Sequence, residues 1–147
     1  MKKSRNIVKI LFEEEKKAYK LKEVPVGVVI VLNDRIIATA HNMREKKKNV
    51  LKHAELIALE KASKKMKTWK LNDCILYTTL FPCPMCAAAI QQSRIKKIIY
   101  VNDTKNNESR LISINILNNI KLNHRVEIEK INIETDLLKN FFKNLRN

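Results

Sequence analysis

Residues 53–101 read HAELIALEKASKKMKTWKLNDCILYTTLFPCPMCAAAIQQSRIKKIIYV, and they alternate twice between helical and strand patterns. Leu56, Leu59 and Ala62 recur at three-residue steps, so His53 to Lys67 is expected to be a helix with one apolar stripe. Ile75 to Thr79 is short, apolar and rich in strand formers. A second helix is expected from Cys83 to about Ser93, opened by Pro82 and Pro84, since proline is tolerated in a first turn. Ile98 to Val101 then returns as a strand.

The flanks extend this pattern. Val26 to Leu32 and Arg35 to Ala40 read as a hairpin turned by Asn33-Asp34, and the adjacent Ile36 and Ile37 point to burial on both faces. Ser4 is placed to cap a helix running to about Tyr19 or Leu21, with Ile7, Ile10, Leu11 and Ala18 on one face. His41 to Leu51 and Asn102 to Ser109 read as polar loops, and Leu111 to Leu117 as a short helix. Arg125 to Ile131 alternates as a fifth strand. Ile133 to Arg146 reads as a closing helix carrying Leu137, Leu138, Phe141, Phe142 and Leu145. The resulting order, αββαβαβ(α)βα, is that of an α/β protein: a three-layer α/β/α sandwich around a five-stranded mixed sheet. Crossovers through the His53 and Cys83 helices are expected to make neighbouring strands parallel. They also bring both helix N-termini to one edge of the sheet, where open α/β sheets place their ligands.

A chain of 147 residues is the size of one domain, taken here as 1–147, and 45% hydrophobic residues suffice for a core without staples. No apolar run approaches the ~18 residues of a membrane span. The basic start, Met1 to Arg5, leads into Glu13-Glu14-Glu15 instead of a signal-peptide core, so a cytoplasmic protein is expected. Three cysteines exclude a disulfide framework, and Cys74 reads as a buried small hydrophobe. The net charge of +15 permits a polyanionic partner. It does not require one: the 23 Lys, 16 Asn and 18 Ile all have A/T-rich codons, so base composition alone can produce much of the excess.

His53-Ala54-Glu55 and Pro82-Cys83-Pro84-Met85-Cys86 carry the chemistry. One imidazole and two thiolates supply three ligands of a tetrahedral zinc site, leaving the fourth position for water, which is the catalytic pattern. Helix N-termini favour thiolates. Glu55 is two residues from His53 and so off its face of the helix. It is suited to a water on the metal and to moving that water's proton. A lone H-x-E is usually structural, and a lone C-x-x-C can be redox-active or half of a structural zinc site. Both at helix starts on one sheet edge are far more specific, and H-x-E…P-C-x-x-C is a known zinc deaminase signature.

With these residues the chain resembles the cytidine-deaminase-like superfamily, and within it the bacterial tRNA-specific adenosine deaminases. The resemblance covers nearly the whole chain. Beyond the zinc motif it rests on Glu23-Val24-Pro25-Val26-Gly27, Asn42, Thr78-Thr79-Leu80, Ser93-Arg94-Ile95, Asn123-His124-Arg125-Val126-Glu127 and Phe141-Phe142. It implies one Zn2+ per subunit on His53, Cys83 and Cys86, with Glu55 as proton shuttle. It also implies attack at C6 of adenine to leave inosine at the wobble position of a tRNA anticodon, and a homodimer. Further, Asn42 would hydrogen-bond the flipped base, Asn123 would line the nucleotide pocket, Asp103 would lie near the RNA backbone, and Phe142 would hold anticodon bases by stacking.

Three departures from that family stand out: Phe81 where Glu is usual, an Asn102 to Ser109 loop without the usual glycines, and an unusually lysine-rich His41 to Leu51 loop. Two other readings share the zinc site. One is a deaminase of a free nucleobase or nucleoside, for which the basic surface and aromatic C-terminal helix would be superfluous. The other is an RNA-binding family member without catalysis, against which the intact His53, Glu55, Cys83 and Cys86 argue.

Overall fold

The computed structural model describes residues 2–133 together with 140 and 143. Its elements in chain order are α1 (Lys2–Lys20), β1 (Gly27–Leu32), β2 (Arg35–His41), α2 (Arg44–Lys47), α3 (Ala54–Met66), β3 (Ile75–Leu80), α4 (Pro84–Gln92), β4 (Lys97–Asn102), α5 (Asn107–Asn118) and β5 (Glu127–Lys130). The closing helix expected over 133–146, with Phe142, lies almost wholly outside the described residues. Among the described residues no helix is long and apolar enough to cross a membrane.

The five strands form one mixed sheet in the order β2-β1-β3-β4-β5. β1 runs antiparallel to both β2 and β3, whereas β3, β4 and β5 are mutually parallel. The expected parallel neighbours are therefore found across α4 but not across α3. The α3 crossover joins β2 to β3, which share a direction but are separated by β1. β1 can occupy that inner place because it is apolar on both sides. Val28 and Ile30 enter the larger core cluster, and Val29 and Val31 enter the smaller one beneath α1. β2 is half-polar and takes the edge, with a bulge opposite Ile30 and Val31 that leaves Ile36 and Ile37 half-buried on opposite faces.

α1 covers one face of the sheet through Ile7 and Leu11, while Ala54, Ala58, Leu59, Ala62, Ala87, Ile90 and Leu117 build the other core from α3, α4 and α5. Small residues on the α3 and α4 faces allow both helices to sit close to the strands. Gly27 is the only glycine in the chain. A Cβ there would meet the Glu15 nitrogen and the Leu11 carbonyl oxygen of α1, both at 2.6 Å. α1 therefore rests with its backbone against the start of β1.

Most boundaries shift by one or two residues, and three departures are larger. α1 starts at Lys2, so Ser4 lies inside it. The loop after β2 contains the one-turn helix α2. α5 starts at Asn107, because the Asn106 side chain accepts the Ser109 N–H at 3.0 Å as an N-cap. The last three residues of the glycine-poor stretch, 107–109, are thus helical, and glycine would weaken the helix there.

Candidate active site

His53 is the N-cap residue of α3 and Cys83 that of α4, both in extended backbone conformation (φ −72°, ψ 146° and φ −70°, ψ 168°). N-cap side chains usually bond the first free N–H groups of their helix. Neither does so here; both side chains turn instead toward the gap between the two helices. Pro84 sets the first turn of α4, and Cys86 follows at the third helical position, one step behind Cys83 on the same end of the helix.

The result is a compact donor set. His53 Nδ1 lies 3.8 Å from Cys83 Sγ and 3.5 Å from Cys86 Sγ, and the three ligand atoms all fall within 4.8 Å of one another. Zinc bonded at ~2.3 Å to sulfur and ~2.05 Å to nitrogen in tetrahedral geometry would place N and S about 3.6 Å apart. The residues fit the metal without rearrangement. Cys86 is fully buried, while His53 and Cys83 are half-buried and leave one side open.

That side opens into a cavity of about 170 Å³ lined by Val24, Val26, Asn42, Arg44, His53, Glu55, Leu80, Phe81, Cys83, Thr104 and Ser109. Glu55, 5% exposed, is the only carboxylate lining it among the described residues. Burial pushes its carboxyl up to about 7, with the Cys83 thiolate adding to the effect. A group poised near neutrality suits proton transfer in both directions. The hydrogen bond from Cys86 holds the Cys83 thiol down to about 4 against burial, with His53 helping, while Cys86 is pushed up. The hydrogen bond to Cys83 raises the His53 imidazole.

Asn42 lines the same cavity at the end of β2. Its Nδ2 donates to the Val24 carbonyl at 3.4 Å, and its buried Oδ1 has no hydrogen-bond partner among the described residues. An orphaned buried acceptor is costly and points to a ligand donor that meets it.

The remaining expected residues are dispersed. Asp103 sits just outside the cavity beside Thr104, its carboxylate bonded to Lys130 Nζ (2.8 Å) and Arg110 Nε (3.2 Å). Those contacts, Lys130 first, hold it below its usual range. Asn123 lines a second cleft with Trp69, Gln91, Arg94 and His124. That cleft is at the C-terminal end of α4, while Cys83 is at its N-terminal end, so Asn123 and Glu55 do not meet within the chain. Phe142 lies outside the described residues.

Phe81 and Arg44 were not expected in the lining. Phe81 is buried edge-on against Tyr100 (centroids 4.9 Å apart) and lies under the Arg110 guanidinium at 5.5 Å. It fills the wall with an aromatic cluster where the resembled family carries a carboxylate. Arg44 had no signal beyond lying two residues after Asn42 in a basic stretch.

Comparison with known proteins agrees with this fold. The family model for MafB19-like deaminases matches residues 2–146. The chain is 42% identical over 142 residues to the tRNA-specific adenosine deaminase of Aquifex aeolicus (95% of this chain, 94% of that protein). It is 39% identical over 143 residues to that of Bacillus subtilis (95% of this chain, 88% of that protein). A structure from a study of A-to-I editing by tRNA:A34 deaminases at the wobble position superposes with a TM-score of 0.78 at 28% identity, covering 87% of this chain and 98% of the other. Fold, donor set and sequence agree: the chain belongs to the tRNA-specific adenosine deaminase family.

Proposed function

We propose that the protein is a zinc-dependent hydrolase, built as a single domain over 1–147, that converts adenosine to inosine at position 34 of a tRNA anticodon. The observation that carries this reading is the cavity itself. It holds three clustered metal donors, one buried carboxylate and one amide acceptor unpaired among the described residues, which is what an aminopurine deaminase needs.

His53 Nδ1, Cys83 Sγ and Cys86 Sγ hold zinc. When bound, zinc lowers the pKa of water at its open position toward ~7, making a nucleophile available at neutral pH. Glu55 accepts a proton from the attacking water and delivers it to the departing amine. The C6–N bond breaks, a C6–O bond replaces it, and ammonia leaves. The Asn42 Oδ1 accepts an N–H from the base and fixes its orientation. Asp103, near the cavity mouth, is assigned to the RNA backbone side. Asn123 and Phe142 keep the nucleotide-pocket and stacking roles that the resemblance gives them.

A polyanionic substrate suits the net charge of +15 and the exposed lysines of α2. We further propose that two copies pair, covering apolar side chains left exposed on α5 such as Leu111 and Ile112, and that the enzyme works in the cytoplasm, where tRNA is found. Incubation with an A34 anticodon stem-loop, free adenosine, cytidine and guanine tests the reading. A one-dalton gain on the RNA alone supports it. A gain on a free base or nucleoside alone moves the chain to small-molecule deamination, and RNA binding without any gain makes it a non-catalytic binder.

A further inference from the structure

We propose that Glu23 is a positioning residue: from beneath α2 it fixes Arg44 at the cavity mouth, where Arg44 meets a phosphate of the bound RNA. The inference rests on the RNA-deaminase reading above.

The argument starts with α2. A helix of four residues cannot stand alone, because a single turn does not repay its nucleation. None of its residues is buried. Its composition, Arg-Glu-Lys-Lys followed by Lys48, puts cations near a helix N-terminus, which the helix dipole disfavours. Something else must hold it. That group is Glu23, which is 1% exposed and whose two carboxylate oxygens accept the Glu45 N–H at 3.0 Å and the Lys46 N–H at 2.7 Å. It supplies a negative charge and two acceptors at the helix start, as an N-cap would, but from 22 residues away.

The same segment aligns the neighbouring residues. The Val26 carbonyl accepts the Asn42 N–H at 3.1 Å, the Val24 carbonyl accepts Asn42 Nδ2, and the Met43 N–H donates to Lys52 at 2.9 Å. Residues 42–46 are thus pinned along 23–26, and Arg44 faces the cavity that also holds His53 and Glu55.

Arg44 is available for an anion. Its one ion pair among the described residues is a long 3.7 Å contact to the exposed Glu45, of a kind that contributes little. A guanidinium matches a phosphodiester through paired N–H donors. Lys46, Lys47 and Lys48 extend the positive edge outward. A free nucleobase has no phosphate for such an arm to grip, so the device is one for a polynucleotide substrate.

The test is steady-state deamination of the A34 stem-loop at several salt concentrations, with zinc content and thermal midpoint measured for every variant. Arg44→Ala should raise KM about tenfold, more than it lowers kcat, and reduce the slope of log affinity on log salt by about 0.7, the value for one single-strand phosphate contact. Glu23→Gln replaces one acceptor by a donor facing an N–H and should shift KM in the same direction. The double variant should be no worse than Arg44→Ala, because both act on one contact. Should Glu23→Gln fail to fold, Glu23→Asp keeps the charge, and a smaller KM rise is expected. An unchanged KM and salt slope in Arg44→Ala would overturn the inference while leaving the deaminase reading intact. So would multiplicative losses in the double variant, or folded Glu23 variants with normal KM. A wild-type enzyme that does not modify the RNA would overturn the deaminase reading itself.

Discussion

His53 and Cys83 occupy equivalent positions, the N-caps of α3 and α4, and their side chains meet 3.8 Å apart. Two helices that each lack a capping side chain thus face each other across a gap sized for a metal ion. The site's stability and its chemistry would therefore be linked, because a bound metal would hold together two helix starts that otherwise lack a capping side chain.

Removal of zinc by a chelator should abolish deamination and lower the thermal midpoint, and added Zn2+ should restore both. Cys86→Ser should bind zinc far more weakly and lose at least 100-fold in kcat. Calorimetry and metal analysis check this. A fully active metal-free protein would contradict it.

Glu55→Gln removes the proton carrier but keeps the shape of the cavity. General acid–base catalysis is worth roughly 10²–10⁴-fold, so kcat should fall by that range while the stem-loop still binds. A gel-shift assay beside single-turnover kinetics separates the two. Loss of binding together with turnover would assign Glu55 to substrate recognition.

Asn42→Ala deletes an acceptor that has no partner among the described residues. Because an unpaired buried polar group destabilises by about 1–3 kcal/mol, the thermal midpoint should hold or rise. The kcat/KM should fall about 10- to 100-fold, the equivalent of one lost hydrogen bond to substrate. A lower midpoint with unchanged kcat/KM would show the amide to be structural.

Glu14 lies on the buried face of α1 and binds Lys17 (2.6 Å) and His41 (3.0 Å). Burial pushes its carboxyl up, but the hydrogen bonds from Lys17 and His41 outweigh it and leave it below its ordinary value. A depressed carboxyl stabilises the fold above its unfolded value, and this contribution is lost as pH falls through the folded one. Melting curves from pH 7 down to pH 3 should show less acid sensitivity in Glu14→Gln than in the wild type, with lower stability at neutral pH. Parallel curves would refute the link.

The order of elements and the donor set could be read in the sequence because they depend on local signals. Leu56, Leu59 and Ala62 write the α3 stripe, proline marks the α4 start, and H-x-E with C-x-x-C puts ligands at two helix ends. What escaped depends on distant partners. Arg44 to Lys47 has no apolar face, so no periodicity announces α2; its hold comes from Glu23, far off in sequence. Glu14 reads as surface by type, yet it is buried because Lys17 and His41 satisfy it. Exposed Leu111 and Ile112 obscured the stripe of α5, whose start is fixed by the Asn106 cap. The place of β1 between β2 and β3 is a tertiary choice that a linear pattern does not specify.

The contact between Gly27 and α1 bears on the chain's reserve of thermostability. The single glycine serves a helix–strand contact, so every sharp bend must be made by residues that carry a Cβ. Lys22, Asn33, Asp34, Lys48, Lys67, Asp73 and Arg94 all adopt left-handed backbone angles. For lysine or arginine this conformation costs about 1–2 kcal/mol, part of which glycine would give back as unfolded-state entropy. Replacing Lys67, just past the end of α3, with glycine should therefore raise the melting point slightly, whereas Gly27→Ala should lower it by several degrees.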